Sequence, residues 1–545
     1  MSGPRLDWAR VTLVTSFLDW YLPAQPITAA MLGLTQHEGT FGDFTEAGFL
    51  ARQREHAEWL ARFTEAAPPA DFSDRIDHEL VLTHLRRERA MADWPAWRRD
   101  PAVYVGTLIG LYTTFLHRLR PEPELVESAL SRLAELPGVY AACRENLDPE
   151  LASPLIVRRG LNQLRTTRGF LTGVLPANVE NEADRARLVQ AGERAADAAD
   201  ELTTYLEDLA DRATGDWRMG EKLYSTLLQE CELLGYGASE LHARGEAAYA
   251  ELDAEATAVA GGDWRVAVRA LQDDHAASLD DLLTVVTEET ERARQFLSDH
   301  DLVTFAEGEE CRVAPSPSFL RPTSVVPFYI SPPGMTASRL GHYFVPFTPD
   351  DATPEQVEQR LRTNATPSLS TISVHEAYPG HHWHYSWLGG NPRHIRKVFR
   401  TSYFTEGWAL YTERMMREQG YFTTPGQLLT HLDFRLFRAA RIIVDTELHC
   451  GDMTVAQAEE FMTTKYTLTE GTAKGEVNRY CAWPTQAPSY LTGALEIEAV
   501  RDEFLARGLG TLKSFHDRIA GSGALPLGLA RRVVLEQPGE FAGWR

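Results

Sequence analysis

Apolar residues recur at spacings of three and four from residue 5 to about residue 300, in a background rich in Ala, Leu, Arg and Glu, and that spacing predicts helices. Between Ala191 and Arg212, Leu202, Tyr205, Leu206 and Leu209 fall on one face while Glu201, Glu207 and Asp208 point elsewhere. Such a stripe belongs to a helix that buries against other helices. Pro68-Pro69, Pro121 with Pro123, Pro137-Gly138, Pro154 and Gly261-Gly262 each read as a helix end or turn. The aromatic residues of this half sit at helical spacing and read as core packing.

Between about 302 and 366 the character changes. Pro315, Pro317, Pro322, Pro327, Pro332-Pro333, Pro346 and Pro349 break any long helix, and two β-prone runs, Val325–Ile330 and His342–Val345, flank a Ser-Pro-Pro-Gly turn. From 367 onward helical spacing resumes, now with polar residues concentrated in it. The pattern predicts a mainly α fold, a large multi-helix scaffold with a small β-hairpin or edge-strand element near 325–345. Residues 1–300 are expected to form a helical wall of a cleft and residues 301–545 to carry a reactive site, within one integrated domain.

Composition narrows the function. The 545 residues are 43% hydrophobic and 24% charged, which is globular. Fifty-four Lys and Arg against 77 Asp and Glu give a formal charge of −23, which repels phosphate backbones and anionic lipid headgroups. Neither nucleic acid nor a membrane is an expected partner. Five scattered cysteines make neither a disulfide framework nor a Cys-x-x-Cys metal site. The opening residues, MSGPRLDWARVTLVTSFLDWYLP, lack the unbroken apolar run of a secretory signal, so a cytoplasmic location is expected.

The informative segment runs Ser373-Val374-His375-Glu376-Ala377-Tyr378-Pro379-Gly380-His381-His382-Trp383-His384. A His-Glu pair in a helical stretch, with further His close behind, supplies imidazoles to hold zinc and a carboxylate to act as general base. Glu376 is that base: a residue adjacent to a ligand lies about 100° around the helix, within reach of a water without displacing it. The short zinc signature places its second His four residues on, but here that position is Pro379, which cannot continue a regular helix. Pro379-Gly380 is expected to re-aim the chain so that His381, with His382 as the alternative, becomes the second ligand. A third ligand must come from another element, and Glu406, about thirty residues after His375, suits a helix–loop–helix return. Glu413, two turns further, can orient a ligand imidazole. One zinc ion per chain is expected on His375, His381 and Glu406, with His382 otherwise in an outer position.

HEAYPGHH at 375–382, EGWALYTE at 406–413, VDTELH at 444–449 and the stretch Glu476–Tyr490 resemble the bacterial family catalogued as domain of unknown function 885. The resemblance extends over nearly the whole chain, including Met219–Tyr224. It implies a divergent branch of the helical, gluzincin-like zinc metallopeptidases, in which two His and a downstream Glu bind zinc. This sequence departs from the pattern at Trp383-His384, Glu447, Thr485 and Pro488.

The later motifs suggest further roles. Arg441, Asp445 and His449 recur at i, i+4 and i+8, where Asp445 can orient His449 and leave its far nitrogen to stabilise an oxyanion. Tyr480 and Tyr490 are candidate catalytic donors; Arg479, Gln486 and Tyr329 are candidate substrate-binding residues. The leading expectation is zinc-dependent hydrolysis of an amide bond in a short peptide or amino-acid conjugate. A metal-dependent lyase or ligase-like tailoring enzyme, and a binding protein stabilised by a structural metal, are the alternatives.

Overall fold

The computed structural model describes residues 12–321 and 324–536. Residues 1–11 of the opening segment weighed as a signal, and Pro322 of the proline-rich stretch, lie outside the described residues. The chain divides into two compact units, Met1–Met219 and Gly220–Arg545. The division falls well before the expected boundary near 300, because the helices Ala238–Ala260 and Leu279–Asp299 pack against Pro425–Cys450 and Thr366–Glu376 of the second unit.

In the first unit the stripe pattern is realised directly. The helix Glu182–Arg212, capped by the Asn181 side chain, buries Leu202, Leu206 and Leu209, leaves Tyr205 half-buried and exposes Glu201, Glu207 and Asp208. It packs against Glu122–Asn146. That helix corrects one expectation, since it runs through Pro137-Gly138 instead of ending there. An interior proline costs about 3 kcal/mol. Leu133, Leu136, Val139 and Tyr140 are all buried around it, and at roughly 1.5–3 kcal/mol per buried side chain they hold the helix together.

The second unit is built on the helix Pro425–Cys450, started by a capping box between Thr424 and Gln427. A three-stranded sheet sits beside the helices: β1 (Glu310–Pro315) pairs in parallel with β3 (Leu340–Val345), and β2 (Phe328–Ile330) pairs antiparallel on the other side of β3. The expected hairpin is therefore β2–β3, with Tyr329 opposite Tyr343. Val325 and Val326 stay exposed outside it, and β1, whose residues alternate without an apolar run, was not expected. Among the described residues no helix is long and apolar enough to cross a membrane.

Candidate metal centre

Two short helices meet at the centre of the informative segment. The helix Thr366–Glu376 ends immediately after His375 and Glu376; Ala377 leaves helical geometry, the Tyr378–Pro379 peptide is cis, and a new helix, His381–Leu388, begins. The break is complete, not a kink, yet its backbone groups are satisfied: the amides of Ala377 and Tyr378 donate to Ser373 O, and that of Gly380 to Val374 O at 3.0 Å. Only glycine fits at 380, because a Cβ there would lie 1.8 Å from the His375 carbonyl oxygen. The third element, Ser402–Glu418, starts at the Thr401 cap and presents Glu406 and Glu413 two turns apart toward His375.

These elements bring one donor atom each from His375, His381 and Glu406 within 4.8 Å of one another. Glu406 Oε2 lies 3.6 Å from His375 Nε2 and 3.4 Å from His381 Nε2. Donors on a tetrahedral ion with bonds of about 2.0–2.1 Å stand about 3.3 Å apart, so this spacing and this nitrogen–oxygen set fit zinc. The second nitrogen of His375, Nδ1, donates to Glu413 Oε1 at 2.7 Å, which fixes the tautomer and leaves the Nε2 lone pair directed at the other two donors. His382 turns the other way. Its Nε2 donates to Glu309 Oε2 at 2.8 Å and its Nδ1 accepts from the Tyr329 hydroxyl at 3.0 Å, so it ties β2 to the residue just before β1.

Burial and charge set the ionisation of the group. Burial disfavours charge on His375, but Glu406 and Glu413 overcome it and lift its pKa to about 9. Burial likewise opposes ionisation of Glu406, yet His375 and His381 hold it well below the usual carboxylate range. His375 and Glu406 thus favour each other's charged forms. Glu376, half-buried beside the two imidazoles, is shifted upward by desolvation, which His375 and His381 only partly counter. A carboxylate raised toward neutrality is the better general base.

The structure places the remaining sequence candidates unevenly. Tyr490 borders the donor group, its ring 6.4 Å from that of His375 and 20° from parallel. Tyr480 does not serve as an open donor, because its hydroxyl is spent on Glu476 Oε2 at 2.7 Å. Arg479 donates to Gln486 and, at 2.9 Å, to the same Glu476, so both expected substrate contacts are engaged with the protein. Tyr329 is engaged with His382. The expected Asp445–His449 pairing is replaced: Asp445 Oδ2 accepts from the Tyr224 hydroxyl at 2.6 Å and the Thr485 amide at 3.2 Å, while His449 Nε2 lies 3.0 Å from the Tyr480 carbonyl. The far nitrogen of His449, Nε2, is therefore turned to backbone. Glu309 and Arg438 escaped the sequence reading, and Tyr224 and Glu476 entered it only as members of the resemblance motifs; Glu309 and Tyr224 are single polar residues whose partners His382 and Asp445 lie far along the chain.

Asp445 allows a direct test of this correction. Burial pushes its carboxyl up to about 7, against the opposing bonds from Tyr224 and Thr485. Its unfolded value is about 3.9, so its contribution to stability is complete below that pH and is lost as pH rises through 7. Asp445→Asn is expected to raise the thermal midpoint by roughly a few degrees at pH 8.5 and clearly less at pH 5. An equal shift at both pH values would contradict the buried, proton-bearing Asp445.

A mainly helical protein with a His–His–Glu donor group at a helix break is thus defined. Its sequence matches the model of the family described as bacterial proteins of unknown function, DUF885, over residues 26–534, and the chain belongs to that family. No curated protein matches the sequence. Among solved structures, a candidate lipoprotein of unknown function from Shewanella oneidensis superimposes with a TM-score of 0.76 at 23% identity, covering 96% of this chain and 99% of that one. A candidate lipoprotein from Colwellia psychrerythraea gives 0.79 at 19% identity, with the same coverage of both chains. At these identities the likeness establishes the shared fold.

Proposed function

We propose that the protein is a zinc-dependent hydrolase that cleaves an amide bond in a short peptide or amino-acid conjugate. The observation that carries this reading is the convergence of His375 Nε2, His381 Nε2 and Glu406 Oε2, with Glu376 adjoining them in sequence and Glu413 on the outer nitrogen of His375. The same donor set characterises the helical, gluzincin-like metallopeptidases that the sequence motifs resemble. Three protein donors leave a tetrahedral ion one open position, which a purely structural site would close with a fourth.

Bound there, zinc supplies polarisation of the scissile carbonyl and acidification of water. Glu376 accepts a proton from the attacking water as its oxygen bonds to the carbonyl carbon. The same carboxyl then delivers that proton to the amide nitrogen as the carbon–nitrogen bond breaks. Glu413 holds His375 in the tautomer that keeps Nε2 available, and the half-buried Tyr490 closes one side of the group.

The experiment is metal analysis of purified variants together with amine release from a library of short peptides and acyl amino acids. His375→Ala, His381→Ala and Glu406→Ala are expected to lose zinc. His382→Ala is expected to keep it, at a cost in stability from leaving Glu309 and Tyr329 without their shared partner. Zinc retained by His381→Ala but lost by His382→Ala would reverse the ligand assignment. A zinc-loaded wild type inert on the entire library would remove the hydrolase reading.

A further inference from the structure

The helix Pro425–Cys450 carries three arginines at three-residue spacing beside the donor group. The outer two are each neutralised: Arg435 Nη2 lies 3.0 Å from Glu498 Oε1, and Arg441 Nη2 lies 2.9 Å from Glu476 Oε2. Arg438, between them, is not. Among the described residues its hydrogen bonding consists of Nη1 donating to the Phe434 carbonyl of its own helix at 3.3 Å, and its Nε is buried without a partner. Its guanidinium carbon lies 5.7 Å from the ring centre of Tyr490, the residue stacked beside His375. Arg438 also acts electrostatically on the half-buried Glu376 carboxyl and on the buried Asp433 carboxyl.

The surroundings make the imbalance specific. Arg441, 4.8 Å from the same Tyr490 ring, and Arg479 share one carboxylate, Glu476, which also accepts from Tyr480. Arg438, Arg441 and Arg479 thus gather around Tyr490; Glu476 holds the latter two, while Arg438 makes no ion pair among the described residues and acts only electrostatically on the Glu376 and Asp433 carboxyls. The chain as a whole has 77 acidic residues against 54 basic ones, so the deficit is local to this place. A half-buried guanidinium with no carboxylate in ion-pair contact can take a ligand anion through charge-assisted, bidentate bonds.

We propose that Arg438 receives a carboxylate of the substrate, so that the preferred substrates carry a free acid close to the scissile amide. The inference rests on the hydrolase reading of the same site and names its substrate class. Arg438 is a specificity residue here, since it touches the substrate away from the bond that breaks.

The test uses the zinc-loaded full chain, calorimetry, and three probes: 2-benzylsuccinate, its monoamide, and acetohydroxamate, which reports on the metal alone. Wild type is expected to bind the diacid at least tenfold more tightly than the monoamide. Arg438→Met is expected to lower diacid affinity at least tenfold while leaving acetohydroxamate unchanged, with Arg438→Lys in between. Equal binding of diacid and monoamide by wild type overturns the proposal, as does acetohydroxamate binding without any diacid binding. So does a folded Arg438→Met that keeps full diacid affinity. If Arg438→Met does not fold, the wild-type comparison of acid with amide still decides. Failure of the zinc-loaded protein to bind acetohydroxamate would instead overturn the metal-centre reading, and this proposal with it.

Discussion

Glu376→Gln is expected to leave about one zinc per chain in place and to lower kcat by about 10²–10⁴-fold, the range for loss of a positioned general base. The substitution preserves the size and hydrogen-bonding outline of a side chain that makes none of the close donor contacts found among His375, His381 and Glu406. It also removes a carboxylate that burial already disfavours, so the fold loses nothing by it. Metal content, a melting curve and initial rates on any substrate the library yields check all three expectations together. A variant that keeps a tenth or more of wild-type kcat would remove Glu376 from the role of base. Glu413→Gln should behave differently. An amide in place of the Glu413 carboxylate weakens the grip on His375 Nδ1, and loss of such an outer partner costs about 10–100-fold in metal affinity. Saturating zinc should then restore most of kcat. The pair of variants therefore separates the group that moves a proton from the group that holds a ligand.

What sequence could reveal here follows from the range of the interactions. The stripe on Glu182–Arg212 is a local property, since its spacing is repeated every turn, and it appears in the fold as expected. The helix Thr366–Glu376 has no stripe to read, because Leu369, Ser370, Thr371, Ser373 and Val374 are buried on every side of it. Its importance shows only through the His-Glu pair at its end. Proline 379 announced that the helix could not continue, and the structure resolves the consequence by facing His381 and His382 to opposite partners. Asp445 and His449 share a helix face, which made them look like a pair, but Tyr224, 221 residues away in sequence, takes the carboxylate first. Arg438 was hidden for the complementary reason. Its chemistry consists in a partner it does not have, and only the neighbours' ion pairs make that visible.

Gly493→Ala is expected to destabilise the protein by about 2–3 kcal/mol and to weaken zinc binding, against the sign that helix propensity predicts. Both Gly407 and Gly493 lie inside helices, Ser402–Glu418 and Ser489–Ala506, where alanine would favour each helix by about 1 kcal/mol. The packing forbids it. A Cβ on Gly493 would lie 1.9 Å from the Tyr403 carbonyl oxygen and 2.7 Å from the Gly407 Cα, and a Cβ on Gly407 would lie 2.5 Å from the Gly493 Cα. All three obstacles are backbone, so no side chain can turn aside and the helices must move apart. Overpacking of this kind costs typically about 1–3 kcal/mol and occasionally more, which outweighs the propensity gain. The displacement also falls on the site, since Glu406 precedes Gly407 and Tyr490 lies three residues before Gly493. Gly475→Ala provides the control: that glycine is exposed in the helix Glu470–Ala482 with nothing within 4 Å of a built Cβ, so it should gain about 1 kcal/mol. Denaturant unfolding and competitive zinc titration of the two variants measure the contrast. A Gly493→Ala protein as stable as Gly475→Ala, with unchanged zinc affinity, would mean that the two helices do not cross at the distance that positions Glu406.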